Sequence, residues 1–151
     1  MKLKCVRKIK FDAGHRLVNH ESKCSNLHGH QYLAFITAVA PSLDGIGRII
    51  DFSVIKDKVG GWIDKHWDHT TILFEEDTQT IEALSTLTWN KPLFIFPYNP
   101  TAENMAKYLL EVVCPKVLEG TGVTVSKVQL WETENCYAEA EISECSCKKG
   151  K

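Results

Sequence analysis

The segment Leu27-His28-Gly29-His30 is the most chemically specific in this chain. In an extended strand, side chains two residues apart point to the same face. His28 and His30 can therefore offer two imidazoles to one ion. His15 ends an earlier run that reads as a strand, and antiparallel pairing of residues 2–15 with 28–39 would bring it beside them. Three neutral imidazoles suit zinc and leave a fourth position open for water or substrate, the mark of a catalytic site. Without a third ligand, His28 and His30 read as two solvated strand residues. His20 is a rival third ligand, but it lies in the middle of the intervening loop.

Cys24 stands four residues before His28. It could complete the zinc shell as a fourth ligand and make the site structural. It could instead sit near the metal as a thiolate, because a neighbouring cation lowers a thiol pKa and makes it a usable base. Spacing leaves both readings open. A second cluster is Trp67-Asp68-His69, where an aspartate could orient an imidazole and stabilise its protonated form. Adjacent residues rarely bond each other, so each is expected to have other partners; the bland alternative is a surface loop after a helix. His66 and His69 stand three apart and could bind a second metal, although His66 completes an apolar helical stripe and reads as packed. Glu132 shares a strand face with Val128 and Leu130. A carboxylate on an apolar face needs a partner, and a ligand with paired N–H donors, such as a pterin ring, would supply one. Otherwise Glu132 is a strand-end residue reaching water. Glu103 suits the first turn of a helix, where Thr101 and the free backbone N–H groups could also receive a ligand.

The elements that position these residues follow from periodicity. Residues 2–11 alternate charge with Leu3, Cys5, Val6, Ile9 and Phe11, and residues 29–39 form a β-branched and aromatic run ending before Pro41. From Phe52 the spacing turns helical through Ile55, Val59, Trp62, Ile63 and His66, with Asp51 or Ser53 as cap and Gly60-Gly61 as a weak point. Residues 77–88 suggest a short helix and Leu93–Phe96 a short strand. A second main helix starts with Asn99 as N-cap and Pro100 at the first helical position. Residues 123–132 and 136–142 alternate as two strands joined at Thr133-Glu134-Asn135. The expectation is one α+β domain over residues 1–144, in the order ββααββ, and a polar tail over 145–151.

Composition bounds the function. At 151 residues the chain can build one domain with a real core. A net charge of −1 supplies no basic field for nucleic acid or a membrane surface, and no apolar run reaches spanning length. The charged start has no apolar stretch after it and does not read as a secretory signal. The expected location is the cytoplasm, where the six cysteines (Cys5, Cys24, Cys114, Cys136, Cys145, Cys147) are thiols. Cys145 and Cys147 are too few to close a metal site by themselves.

Taken together, Phe11-Asp12-Ala13-Gly14-His15-Arg16-Leu17, Cys24-Ser25-Asn26-Leu27-His28-Gly29-His30, Gly47-Arg48-Ile49-Ile50-Asp51-Phe52, Asp68-His69, Pro100-Thr101-Ala102-Glu103-Asn104 and Glu132-Thr133 resemble the 6-pyruvoyltetrahydropterin synthase and 6-carboxytetrahydropterin synthase family. The likeness runs from residue 5 to about 142. It implies the tunnelling fold (T-fold), a four-stranded antiparallel sheet with two main helices on one face. It also implies a homohexamer of two stacked trimers with sites between subunits. By resemblance, zinc falls to His15, His28 and His30, the base to Cys24, the acid–base pair to Asp68 and His69, and the pterin anchor to Glu132. The spacing from Cys24 to His30 resembles the queuosine-pathway branch. That branch converts 7,8-dihydroneopterin triphosphate to 6-carboxy-5,6,7,8-tetrahydropterin, acetaldehyde and triphosphate; the other eliminates triphosphate to give the 6-pyruvoyl product. A zinc-stabilised pterin-binding module without catalysis is the alternative of another class. Gly14, Trp67 and the long 70–98 stretch depart from the family pattern.

Overall fold

The structure is a computed structural model that describes residues 1–88 and 90–143. The expected polar tail over 145–151, with Cys145 and Cys147, lies outside the described residues. Among the described residues six strands form one sheet: β1 (Cys5–His15), β2 (His28–Val39), β3 (Thr70–Phe74), β4 (Phe94–Phe96), β5 (Thr124–Thr133) and β6 (Cys136–Glu141). Their spatial order is β4-β3-β1-β2-β5-β6. The four expected strands make its antiparallel part, β1-β2-β5-β6. The expectation of a four-stranded antiparallel sheet is corrected by β3 and β4, which run parallel beyond β1 and make the sheet mixed. β4 matches the short strand read at Leu93–Phe96, whereas β3 was not foreseen. Its first four residues are all buried, so it carries no wet face and no alternation to detect.

The helices follow the apolar stripes. Helix α1 is a continuous run of Phe52–Ile55, a π-widened turn Lys56–Gly60, and Gly61–His66. Asp51 caps it, its carboxylate accepting from the Ser53 N–H at 2.8 Å. Helix α2 spans Thr78–Ser85 with Asp77 as cap. Helix α3 joins Ala102–Tyr108, a π-widened turn Leu109–Val113, and Cys114–Val117. The widened turn precedes Pro115, whose ring and missing N–H disturb a regular ladder. The cap of α3 is Thr101, accepting from the Asn104 N–H at 3.2 Å, not Asn99. Pro100 accordingly lies before the cap and not in the first turn. Among the described residues no helix is long and apolar enough to cross a membrane.

One sheet face forms the core. Ile9 and Phe11 of β1, Tyr32, Ala34 and Ile36 of β2, and Val128 and Leu130 of β5 cluster with Ile55, Val59 and Ile63 of α1 and Met105, Leu109 and Val113 of α3. Trp67, at the end of α1, is fully buried. Its ring contacts Phe11, Phe94, Phe96 and Tyr108 at centroid separations of 5.8–6.3 Å. It thus ties α1, β1, β4 and α3 together just before Asp68. Replacing Trp67 with Ala removes those contacts and leaves a cavity, at an expected loss of about 3–5 kcal/mol in urea unfolding. A loss below about 1 kcal/mol would show that the aromatic cluster closes without it.

Candidate active site

Strand pairing assembles the histidines. The β1–β2 register sets His15 opposite His28 and Ala13 opposite His30, so all three imidazoles share the core face near one end of the sheet. Their centroids stand 4.6 to 5.1 Å apart, and one ligating atom from each lies within 4.8 Å of the others. Gly29 makes this close pairing feasible, because a Cβ there would lie only 3.1 Å from the Ala13 carbonyl oxygen.

Backbone carbonyls assign the tautomers. His15 Nδ1 is 2.8 Å from the Pro100 oxygen, and His28 Nδ1 is 2.7 Å from the Asn26 oxygen. A carbonyl only accepts, so each Nδ1 carries the proton and each Nε2 keeps its lone pair. Those two Nε2 atoms face each other at 3.2 Å. Two lone pairs so close repel unless a proton or a cation lies between them. Ligand nitrogens of a tetrahedral zinc stand about 3.3 Å apart, given Zn–N bonds of about 2.0–2.1 Å. Three imidazoles, two of them held through Nδ1 by backbone carbonyls, therefore fit zinc. Burial pushes the pKa of His15 down to about 4, against the Pro100 carbonyl and with help from His28 and His30. Burial and His28 lower His30 as well. Both rings are kept neutral, as metal binding requires.

Cys24 sits on the short 3₁₀ turn Lys23–Ser25, partly exposed. Neither its sulfur nor a His20 nitrogen belongs to the group of mutually close ligating atoms. His20 instead accepts from the Ser22 N–H at 2.9 Å. Cys24, Thr101, Glu103 and Glu132 line one cavity, together with Cys136 and the apolar walls of Leu17, Ala102 and Ala138. Glu132 owes its direction to a β-bulge. The β5–β6 pairing slips between Trp131 and Thr133, leaving Glu132 as the extra residue. Its Oε1 stands 4.0 Å from His15 Nε2, too far for a hydrogen bond. Burial and the Glu103 carboxylate push its pKa up, while His28 opposes. Such a carboxyl calls for a donor.

Asp68 and His69 do bond each other, contrary to the expectation for adjacent residues. His69 has a left-handed backbone, φ 55°, which turns its Nδ1 to within 2.7 Å of Asp68 Oδ2. β1 holds the turn: Asp12 N–H donates to Asp68 Oδ1 at 2.9 Å, and the His69 N–H donates to the Asp12 oxygen at 2.7 Å. Burial alone would raise the Asp68 pKa, but the Asp12 N–H and His69 bring it below the ordinary value. His69 is exposed and shares a second cavity with His30, Gln31, Gly14 and Gly29. Cys24 and His69 therefore open into different cavities of one chain, with the histidine cluster between them. His66 is packed, as read, against Trp62 and Phe94. Sequence reasoning missed the carbonyls of Pro100 and Asn26, the Asp12 backbone and Cys136. None carries a side-chain signal except Cys136, which follows the hairpin turn beside Glu132.

A family model described as 6-pyruvoyl tetrahydropterin synthase matches residues 4–143. The chain belongs to the 6-pyruvoyl tetrahydropterin synthase family. A 6-carboxy-5,6,7,8-tetrahydropterin synthase of Rickettsia bellii is 41% identical over 137 residues, covering 91% of this chain and 99% of that one. Among solved structures, an uncharacterized protein of Wolinella succinogenes superposes with a TM-score of 0.78 at 21% identity, covering 95% of this chain and 99% of that one. The 6-pyruvoyl tetrahydropterin synthase of Caenorhabditis elegans gives 0.68 at 22%, covering 93% and 96%. At those identities the two structures speak to the fold alone. The chain is an enzyme of this family, with helices packed on a sheet. Its Gly14 meets Thr71 of the unforeseen β3, where a Cβ would lie 3.3 Å from the Thr71 hydroxyl.

The pKa of His15 yields a stability prediction. Its folded value, about 4, lies below the ordinary 6.5. The unfolded chain therefore binds the proton more readily, and stability falls as pH drops through that window. Urea unfolding in chelator between pH 7 and 4 should show the decline, and His15→Gln should flatten it. An unchanged slope in His15→Gln would contradict a neutral buried His15.

Proposed function

We propose that this protein is a zinc-dependent lyase that converts 7,8-dihydroneopterin triphosphate and one water to 6-carboxy-5,6,7,8-tetrahydropterin, acetaldehyde and triphosphate. The observation that carries the reading is the pair of lone-pair nitrogens 3.2 Å apart, next to the residues of a cavity holding a thiol and a proton-seeking carboxyl. The name of the Rickettsia bellii relative supports the carboxy product. His15, His28 and His30 would hold the zinc, which supplies Lewis acidity that makes C–H protons beside the substrate's side-chain hydroxyls easier to remove.

The remaining roles belong to the chain's own residues. Glu132 accepts the paired N–H donors of the pterin and so fixes the ring, while Thr101 and Glu103 border the same cavity. Cys24 removes a side-chain proton. Asp68 holds His69 through Nδ1, leaving Nε2 to return a proton. Because His69 opens away from Cys24, the reading includes assembly into a homohexamer of two stacked trimers with sites between subunits. It places the enzyme in the cytoplasm, in queuosine biosynthesis.

The second reading is the 6-pyruvoyl product, favoured by the description of the family model. It needs the same substrate and the same proton transfers without cleavage of the side chain. Mass analysis after incubation with dihydroneopterin triphosphate separates the two. We expect the carboxy product and acetaldehyde; the pyruvoyl product alone would overturn the first reading, and unconsumed substrate would leave a binding module. Cys24→Ala should retain zinc, measured by atomic absorption, while turnover falls at least about 100-fold. Loss of zinc in that variant would make Cys24 a ligand and not the base.

A further inference from the structure

We infer that Asn99 is a positioning residue, whose side-chain amide locks the loop carrying Cys24 onto the start of α3 and so sets the thiol relative to His15 and the substrate cavity. Asn99 Oδ1 accepts from the Val18 N–H at 2.8 Å, and Asn99 Nδ2 donates to the Val18 carbonyl at 2.8 Å. One planar amide thus satisfies both backbone groups of a residue 81 positions away, as a neighbouring strand would. The preceding residue passes the constraint on, because the Leu17 N–H donates to the Cys24 carbonyl at 2.9 Å.

The other side of Asn99 is equally fixed. Its own carbonyl accepts from the Thr101 N–H at 2.8 Å and from Asn104 Nδ2 at 2.9 Å. The following carbonyl, that of Pro100, holds His15 Nδ1 at 2.8 Å. Two adjacent residues therefore reference three walls of the site to one another: the Cys24 loop, the buried histidine, and the helix start carrying Thr101 and Glu103. Because Thr101 takes the capping role, the Asn99 side chain is free for this span. Two neutral hydrogen bonds contribute little net stability, because unfolding exchanges them for bonds to water. Misplacement of a reacting group by about 1 Å, in contrast, costs about 100-fold in rate. The effect of Asn99 should therefore fall on chemistry more than on folding.

The activity arm rests on the proposed synthase reading; the reactivity arm does not. Asn99→Ala removes both bonds, and Asn99→Gln keeps both groups but lengthens the reach by one methylene. For each variant the measurements are zinc content, thermal midpoint, kcat and KM with dihydroneopterin triphosphate, and the rate of iodoacetamide addition to Cys24, resolved by peptide mass. Cys136 borders the same cavity without this tether and serves as the internal reference. We expect Asn99→Ala to keep its zinc, to lose at least tenfold in kcat with KM changed less than threefold, and to alkylate Cys24 at least threefold faster relative to Cys136. Asn99→Gln should keep the wild-type midpoint yet lose kcat. Should Asn99→Ala not fold, Asn99→Asp, which retains only the acceptor, carries the same expectations. Wild-type Cys24 reactivity in the folded variants overturns the inference, whether or not the protein proves to be a synthase. Loss of zinc with unchanged Cys24 reactivity overturns it too, by placing the effect on His15.

Discussion

The pairing register of β1 and β2 is the constraint on which the rest depends. It places His15 across from His28, with His30 one pleat further on, and puts all three rings on the face that also buries Phe11 and Tyr32. A slip of one residue would turn the side chains of one strand to the other face and part His15 from His28 and His30. The apolar pattern that drives core formation is thus the same pattern that gathers the three histidines. The register holds because both sets of residues must be inside together.

That placement carries an electrostatic consequence. His15 is almost wholly buried, so its charged form is disfavoured and its ring stays neutral. Its neighbour across the strand is oriented so that both Nε2 lone pairs meet. An arrangement that is repulsive by itself becomes favourable around a cation, and this coupling makes a site as well as a core. Glu132 stands nearby, its carboxyl pKa pushed up by burial and by the Glu103 carboxylate while His28 opposes.

The segment between the two main helices binds the rest to this frame. Strand β3 pairs with the end of β1 at Ala13, Gly14 and His15. Arg16, the next residue, reaches Asp77 at 3.3 Å and the Thr80 hydroxyl at 2.8 Å, both at the start of α2. Lys91 donates to the carbonyls of Asp64 and Asp68, closing the end of α1 where the Asp68-His69 turn begins. The 70–98 stretch is therefore a brace around both the histidine cluster and the Asp68–His69 pair.

The sequence by itself determined the histidine cluster, since His-x-His in a strand and His15 at the end of its partner follow from the two-residue period alone. It likewise determined four strands, both main helices and the Glu132 hairpin, all of which rest on local spacing, and it narrowed the first cap to Asp51 or Ser53, of which the structure takes Asp51. Strand β3 escaped because burial on both faces erases alternation, and the cap of α3 shifted from Asn99 to Thr101 because Asn99 is claimed by a loop far away in the chain. Only the tertiary structure decided that Cys24 shares a cavity with Glu132 and not the histidines' nitrogen cage, and that Asp68 bonds its own neighbour. Those outcomes depend on backbone carbonyls, a left-handed residue and a bulge. Such features carry no side-chain signature, because they are made by contacts between segments that the sequence keeps apart.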